Sequence, residues 1–277
     1  MFIVKIPAVN SSLNTEGCAR SGEAIIKELR KINVNEDGKE INVDKLDLEE
    51  IHIDNSDLEK TNNLIYENAE EIFETKSKTI FLGGDQSITF SLGKAFLDYC
   101  EEESKEPCLI IFDAHPDCMG DYAYASRKIG EKFPTNEEWL RALIEYGFPA
   151  KNILLVGIRN KSPEENDFLK KNKIQTFMMG NLSEDLRETC DTIMEFSNGK
   201  ELYVSIDIDV VDPSFAPSTA KTESGGLTSR ELIYLIKRIN KIKNLRAVDL
   251  TEINLEMDKE KNNHTIKLGA KIVSELL

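Results

Sequence analysis

The chain has 277 residues, and its 50 acidic residues outnumber its 35 Lys and Arg, which gives a formal net charge of −15 at pH 7. This charge argues against nucleic acids and anionic membrane surfaces as partners, and no apolar run is long enough to cross a bilayer. The amino-terminal stretch lacks the basic start and long apolar core of a signal peptide, and the five cysteines show no paired spacing. We therefore expect a cytoplasmic protein with reduced thiols.

Short apolar runs rich in β-branched residues alternate with helical patterns along the chain. Eight such runs predict strands, in chain order Phe2–Ile6, Glu50–Ile53, Thr79–Leu82, Cys108–Asp113, Ile153–Gly157, Ile174–Phe177, Leu202–Asp207 and Leu245–Leu250. Capping boxes predict helix starts at Ser56, Thr135, Ser162 and Thr228. This alternation predicts an α/β fold in which helices cover both faces of an eight-stranded, mostly parallel sheet. We expect a single domain, a three-layer αβα sandwich, over residues 1–277.

A first acidic stretch lies at the end of the predicted strand Cys108–Asp113. Asp113, His115 and Asp117 follow an apolar run and stand at alternate positions. In an extended backbone, side chains two positions apart point to the same side, so these three can converge as the strand ends. Such a cluster is costly in a protein interior unless something positive lies within it, and a divalent metal ion is the simplest occupant.

A second acidic stretch repeats the pattern at the end of the predicted strand Leu202–Asp207. Asp207 and Asp209 share one side, and the stretch closes at Asp212 and Pro213. In parallel sheets, ligands lie outside the carboxyl ends of the strands, which is where both acidic stretches fall. Two strand ends that offer hard oxygen ligands and one imidazole predict a site for Mn²⁺ or a similar ion.

Five motifs together resemble the signature of the ureohydrolase family, which includes arginase, agmatinase, guanidinobutyrase and formimidoylglutamase. They are Gly83-Gly84-Asp85-Gln86-Ser87, Asp113-Ala114-His115-Pro116-Asp117, Ser205-Ile206-Asp207-Ile208-Asp209 with Asp212-Pro213, Gly225-Gly226-Leu227 with Arg230-Glu231, and Glu252-Ile253-Asn254. The matches run in family order from Gly83 to the C-terminus. The resemblance implies an αβα sandwich around an eight-stranded parallel sheet, and a homo-oligomer.

The resemblance also implies a chemistry, because family members hold two Mn²⁺ ions bridged by a hydroxide. This hydroxide attacks a guanidinium or formimidoyl carbon and releases urea or formamide. The matching positions imply five metal ligands: Asp113 and Asp207 bridging the ions, His115 and Asp209 completing one site, and Asp117 belonging to the other. Asp113, Asp207 and Glu252 would be the catalytic residues. Glu252 would hold the amidine nitrogens of the substrate through charge-assisted hydrogen bonds.

Gln86 departs from the family pattern, because a histidine usually follows the Gly-Gly-Asp motif. An amide oxygen is a weaker donor than an imidazole for a first-row metal. Two interpretations therefore stay open: Gln86 is a further metal ligand, or it makes ordinary hydrogen bonds and the centre holds one ion instead of two. Asp85 and Asp212 would support the ligands or their turns.

Two further departures concern the substrate. The loop after Asp117 lacks the usual Asn and His-Gly pair, and there is no histidine between His115 and His264. Lys221 replaces a small residue before the Gly-Gly pair, where it would repel a cationic tail and could bind a carboxylate. These residues favour a metal-dependent hydrolase of an anionic or zwitterionic guanidino or formimidoyl substrate. The alternative is a catalytically degenerate member that serves as a binding or assembly protein, with one metal site lost at Gln86.

Overall fold

The computed structural model of the chain describes residues 1–10, 15–120 and 133–277. These residues form one eight-stranded sheet in which every neighbouring pair of strands is parallel. Its strands are β1 (Phe2–Ile6), β2 (Asp47–Glu50), β3 (Thr79–Gly83), β4 (Pro107–Phe112), β5 (Ile153–Ile158), β6 (Gln175–Met178), β7 (Glu201–Asp207) and β8 (Leu245–Thr251). They lie in the order β2-β1-β3-β8-β7-β4-β5-β6. The prediction of an eight-stranded parallel sheet is confirmed.

The position predicted for β2 is wrong. The apolar alternation of Glu50–Ile53 indicated a strand there, but β2 ends at Glu50 and its side chains are mostly exposed. It lies at the sheet edge and pairs only with β1, with Phe2 opposite Asp47. Backbone pairing can hold an edge strand without a buried apolar face, so its sequence carries little strand signal.

Helices cover both faces of the sheet. Among the described residues they are α1 (Ser21–Leu29), α2 (Leu58–Thr75), α3 (Ile88–Glu102), α4 (Trp139–Tyr146), α5 (Pro163–Asn172), α6 (Met179–Glu184), α7 (Leu186–Phe196), α8 (Ser229–Ile239), α9 (Leu255–Lys259) and α10 (His264–Leu276). One apolar cluster packs α1, α7, α8 and α10 onto the sheet, and a second packs α2, α3 and α4 onto the opposite face. None of these helices combines the length and the apolar character that crossing a membrane requires.

Two of the predicted capping boxes are confirmed. Ser162 caps α5 and Thr228 caps α8, and in each case the glutamate three residues later bonds back to the capping residue. The box at Ser56 is wrong, because Asp57 caps α2 and Ser56 bonds to Asp54 instead. An aspartate competes effectively for this position because its carboxylate accepts hydrogen bonds from helix N–H groups.

The box predicted at Thr135 forms only in part. The Thr135 hydroxyl and backbone N–H both donate to the carboxylate of Glu138, at 2.7 and 2.8 Å. However, α4 begins only at Trp139, so these bonds close a turn ahead of the helix. The turn determines where Trp139 enters the protein interior.

The four central strands bring the predicted motifs together. β3, β8, β7 and β4 are consecutive in the sheet, so their carboxyl ends lie side by side at one edge. Phe112 pairs with Ile206 and Asp207 with Thr251, which places the residues that follow β4, β7 and β8 at one level. Gly84 keeps the end of β3 close to β1, because a Cβ atom there would lie 1.8 Å from the carbonyl oxygen of Ala8.

Candidate metal centre

Asp113 follows β4 directly and is fully buried. Its Oδ1 accepts a hydrogen bond from the backbone N–H of His115 at 2.6 Å. Its Oδ2 has no hydrogen-bond partner among the described residues. Burial raises the pKa of the Asp113 carboxyl well above its usual range, and Asp117 and Asp209 raise it further. A buried carboxylate oxygen without a donor requires either a proton or a cation to be stable.

The His115 ring connects the end of β4 with the end of β7. Its Nδ1 lies 2.8 Å from Oδ2 of Asp209, whose Oδ1 accepts from the backbone N–H of Ala114 at 2.9 Å. Asp113, His115 and Asp209 each offer a ligand atom, and these atoms all lie within 4.8 Å of one another. Two carboxylates and one imidazole at this spacing form a donor set that fits a divalent cation.

Asp207 lies beside this group at the end of β7. Its Oδ1 accepts from the backbone N–H of Asp209 at 2.7 Å, and its side chain is almost fully buried. Burial raises the pKa of Asp207 well above its usual range, and the neighbouring carboxylates of Asp209 and Asp113 add to the effect. Asp207, Asp209 and His115 line one small enclosed space.

Asp117 has a left-handed backbone, with φ of 49°. Its Oδ2 accepts a hydrogen bond from the indole Nε1–H of Trp139 at 3.1 Å. Burial raises its pKa, while His115 and Lys221 lower it, so that the pKa of Asp117 is about 7. Sequence reasoning missed Trp139, which is fully buried at the start of α4.

Glu252 also has a left-handed backbone, with φ of 63°. Its Oε1 accepts from the backbone N–H of Gln86 at 2.9 Å and from Nδ2 of Asn136 at 3.1 Å. Burial raises the pKa of Glu252 well above its usual range, and Asp85 raises it further. Sequence reasoning missed Asn136 as a site residue. The indication available was its position in the stretch that lacks the histidine usual in the family.

The Gln86 side chain is fully buried behind these groups. Its Nε2 lies 3.4 Å from Oγ of Ser205 and donates to it. Its Oε1 has no hydrogen-bond partner in the part of the chain that the structure describes. The Gln86 amide lowers the pKa of Asp113, as a nearby N–H donor does.

Lys221 stands at the mouth of the site and forms an ion pair with Glu137. Burial lowers its pKa, but Glu137, Asp117 and Glu252 raise it by more, so the net pKa is above the usual value. Lys221 and Glu137 line an outer cavity of about 320 Å³, which also reaches His115. Lys161 lines the same cavity, so a ligand that enters it meets two ammonium groups before the buried carboxylates.

Arg159, a third residue that sequence reasoning missed, holds the loops beside the centre. Its Nη2 donates to the carbonyl oxygens of Asp209 at 2.6 Å and Glu223 at 2.7 Å. The Glu223 carboxylate lies 3.9 Å from Nε2 of His115. A charged residue directly after β5 was a signal for this role, because the carboxyl ends of parallel strands face the ligand crevice.

Asp85 and Asp212 shape turns next to the centre. Asp85 accepts from the backbone N–H groups of Asn10 at 2.7 Å and Ser87 at 3.2 Å. Asp212 accepts from Ser214 at 2.9 Å and from Gly225, which has φ of 78°, at 2.7 Å. The second interaction joins the loop after β7 to the loop that precedes α8.

Comparison with known families identifies the chain. The family model described as "Arginase family" matches residues 1–277. The chain belongs to the arginase family. This confirms the resemblance that the motifs indicated, and the arginase family is a family of binuclear metal enzymes.

Curated arginase-family relatives are just under a third identical to this chain over the aligned residues. "Arginase, mitochondrial" of Medicago truncatula is 30% identical over 236 residues, which are 85% of this chain but only 65% of that protein. "Agmatinase" of Bacillus subtilis (strain 168) is 29% identical over 216 residues, 78% of this chain and 68% of that protein. These two relatives carry different names, so the family alone does not define a substrate.

Solved structures of arginase-family proteins have the same fold. Formimidoylglutamase from Bacillus subtilis subsp. subtilis str. 168 superposes with a TM-score of 0.85 at 22% identity, over 99% of this chain and 85% of that one. Proclavaminate amidino hydrolase from Streptomyces clavuligerus gives a TM-score of 0.84 at 23% identity, over 99% and 89%. The three-layer α/β prediction is therefore confirmed at the level of the fold.

Proposed function

We propose that the chain is a Mn²⁺-dependent hydrolase of linear C–N bonds in guanidino or formimidoyl compounds, which releases urea or formamide. The observation that carries this proposal is the group formed by Asp113, His115 and Asp209, in which Oδ2 of Asp113 has no hydrogen-bond partner among the described residues. Membership of the arginase family supports it. So do the names of its relatives, which include arginase, agmatinase and formimidoylglutamase.

The carboxylates and the imidazole at the ends of β4 and β7 would hold the metal. Asp113, His115 and Asp209 supply ligand atoms within 4.8 Å of one another, and Asp207 and Asp117 lie beside them. A divalent ion, when bound, supplies Lewis acidity and lowers the pKa of a coordinated water molecule to near neutral pH. The four carboxylates are buried and accept hydrogen bonds from the chain, which holds them in place.

Glu252 would bind and orient the reacting group. Its carboxylate lies among buried acidic side chains, so a planar amidinium or guanidinium cation would relieve the mutual repulsion. Charge-assisted hydrogen bonds from two substrate N–H groups would fix the plane of the cation. Asn136 and the backbone N–H of Gln86 already hold Oε1 of Glu252, which limits its rotation.

Lys221 favours a substrate that carries a carboxylate. Its ammonium group faces the site and is balanced by Glu137. A substrate carboxylate could replace Glu137 as the partner of Lys221, whereas a second cationic group would be repelled. We therefore propose a guanidino acid or a formimidoyl amino acid as the substrate class.

The test is a substrate panel assayed with Mn²⁺ and with the metal removed by a chelator. Guanidino acids, formimidoyl amino acids, arginine and agmatine would be compared by the urea or formamide released. The proposal expects product from an acidic substrate only when metal is present. Absence of product from every substrate, with a bound ion verified, would contradict it.

The second candidate is a degenerate family member that binds or assembles without hydrolysis. The observation that favours it is the Gln86 amide, which donates to Ser205 where the family has a histidine. Ligand binding by the acidic panel without product release would support this candidate. Restoration of turnover by Gln86→His would indicate an ancestral hydrolytic centre that has decayed.

We also propose a single domain over residues 1–277, a cytoplasmic location and a homo-oligomer. The continuous eight-stranded sheet supports the first, and the five free, buried cysteines are consistent with the second. The oligomer follows from the family resemblance. Light scattering of the purified chain would test it, and a monomer at all concentrations would contradict it.

A further inference from the structure

A buried acidic network lies behind the metal centre and is not used by the proposed chemistry. Asp249, in β8, is fully buried and accepts three hydroxyl groups. The Ser205 hydroxyl donates to its Oδ1 at 2.8 Å, and Thr89, at 3.2 Å, and Tyr203 donate to its Oδ2. These donors offset part of the effect of burial, which raises the pKa of the Asp249 carboxyl. The Ser205 proton is therefore committed to Asp249.

This commitment determines which end of the Gln86 amide faces Ser205. A serine hydroxyl has one proton to donate, so its remaining interactions are as an acceptor. Ser205 can thus only accept from Gln86, which requires the amide nitrogen on that side, at 3.4 Å. An amide N–H supplies partial positive charge and cannot coordinate a metal ion. The ligand atom that the Gln86 side chain can offer is therefore Oε1, which points away from Ser205 and has no hydrogen-bond partner among the described residues.

Asp117 is also occupied by a protein donor. The indole N–H of Trp139 donates to its Oδ2 at 3.1 Å, and Trp139 is fully buried and held by the core. Within residues 1–10, 15–120 and 133–277, the acidic and histidine ligand atoms that lie within 4.8 Å of one another belong to Asp113, His115 and Asp209. Of the two further residues that a second ion would need, Gln86 presents its N–H side to Ser205, and Asp117 has one carboxylate oxygen, Oδ2, engaged by an indole N–H.

We infer that this chain binds one divalent ion per subunit, at Asp113, His115 and Asp209, and that the Gln86 amide takes the place of a second ion. Asp249 and Ser205 are positioning residues, since they act through the orientation of that amide. The inference rests on the proposed metal dependence and departs from the two ions that the family resemblance implies. In this chain the hydrogen-bonded Gln86 amide stands where the family has a histidine ligand of the second ion.

The test measures metal content of the full chain after equilibrium dialysis against Mn²⁺, by elemental analysis and by titration calorimetry. One equivalent is expected for the unaltered chain. Gln86→His is expected to double the content to two, because an imidazole nitrogen can coordinate where the amide N–H cannot. Gln86→Met, which has a similar size and no strong ligand atom, is the matched control and is expected to keep one equivalent.

The outcomes separate this inference from the proposed function. Two tightly bound equivalents in the unaltered chain would overturn the inference and leave metal-dependent hydrolysis standing. One equivalent without product from any substrate would support the inference and contradict the proposed hydrolysis. No bound metal would contradict both. If Gln86→His does not fold, anomalous scattering from crystals of the unaltered chain decides the question, with one peak expected between His115 and Asp209.

Discussion

His115 and Asp209 are 94 positions apart in the chain, and yet Nδ1 of the imidazole lies 2.8 Å from Oδ2 of the carboxylate. The sheet makes this contact possible because β4 and β7 are parallel neighbours whose carboxyl ends lie at one level. Both residues belong to the donor set that fits a divalent cation, so a cation bound at either of these atoms would compete with this hydrogen bond. Substitution of either residue should therefore change the affinity for the metal.

Divalent ions should stabilise the chain through this pair. At a Mn²⁺ concentration 100 times the dissociation constant, the free energy of unfolding should rise by about 2.7 kcal/mol. Thermal unfolding with Mn²⁺ and with a chelator measures the effect. His115→Ala should remove most of it, whereas His52→Ala, which changes an exposed histidine, should retain it. Equal responses of the two variants would show that the ion binds elsewhere.

Glu252→Gln should lower kcat/KM by about 10- to 100-fold, because a hydrogen bond between the substrate cation and a charged carboxylate contributes roughly 1.5 to 3 kcal/mol. The size of the side chain is retained, and a carbonyl oxygen can still accept from Gln86 and Asn136. Steady-state kinetics on the best acidic substrate measures the change. Metal content should stay the same, and Glu256→Gln on exposed α9 serves as the control. A normal kcat/KM would exclude Glu252 from substrate binding.

Lys221→Met should raise KM for a carboxylate-bearing substrate by about 10-fold, because a charged hydrogen bond is lost at the cavity mouth. Substrates with an uncharged or cationic tail should not be weakened. A comparison of KM values across such a series tests the role of charge. Lys243→Met, which is exposed before β8 at the far end of the sheet, should behave like the unaltered chain. Parallel losses for all substrates would indicate a general disturbance of the site.

Asp212→Ala should destabilise the chain by about 1 to 3 kcal/mol at pH 7, since backbone N–H groups of two loops lose a charged acceptor. Hydrogen bonds from Ser214, Gly225 and Gly226 lower the pKa of Asp212 to about 2. A lowered pKa means that the stabilisation is complete above the ordinary value near 3.8 and is lost as the pH falls through about 2. Urea unfolding at pH 7, 4 and 3 should show the difference shrinking in acid.

The control for that experiment is Asp167→Ala, in an exposed position of α5, which should change stability by less than about 0.5 kcal/mol. A pH-independent difference for Asp212→Ala would mean that packing, and not charge, holds the two loops.

The native chain should be nearly inert to thiol reagents. All five cysteines are buried, and burial raises the pKa of Cys100 and of Cys108 to about 12. Burial also raises the pKa of Cys118, the thiol that follows the acidic stretch. The thiolate is the reactive form, so reaction should be slow until the chain unfolds. Titration with a chromogenic disulfide, with and without denaturant, measures this, and a rapidly reacting native thiol would contradict it.

Local patterns were sufficient for the sheet and for the two acidic strand ends. Parallel pairing of Phe112 with Ile206 places Asp113 and Asp207 at the same level. The two-residue period of a strand predicted the convergence of Asp113 with His115, but β4 ends at Phe112 and a 3₁₀ helix over Ile208–Val210 follows Asp207, so the geometry of the loops brings these side chains together. These relationships depend on backbone geometry, which repeats from one protein to another. The edge strand β2 was misplaced because an exposed strand needs no apolar pattern.

Contacts made by the segments that connect strands and helices could not be predicted in the same way. Asn136 reaches Glu252 and Trp139 reaches Asp117 because the turn before α4 crosses the site. No periodicity in the sequence encodes that path. The direction of the Gln86 amide depends on Ser205 and Asp249, which come from two other strands. A motif defines which atoms are available, but tertiary packing determines which of them face the centre.

Glu252 and Asp117 both adopt a backbone conformation that an ordinary side chain enters at a cost of roughly 1 to 2 kcal/mol. Glycine or asparagine would be easier to accommodate at both positions. Screens that reward heat resistance alone should therefore enrich such replacements, which would remove the carboxylates proposed to bind metal and substrate without lowering the melting temperature. Stabilising mutagenesis of this protein should therefore leave Asp117 and Glu252 unchanged.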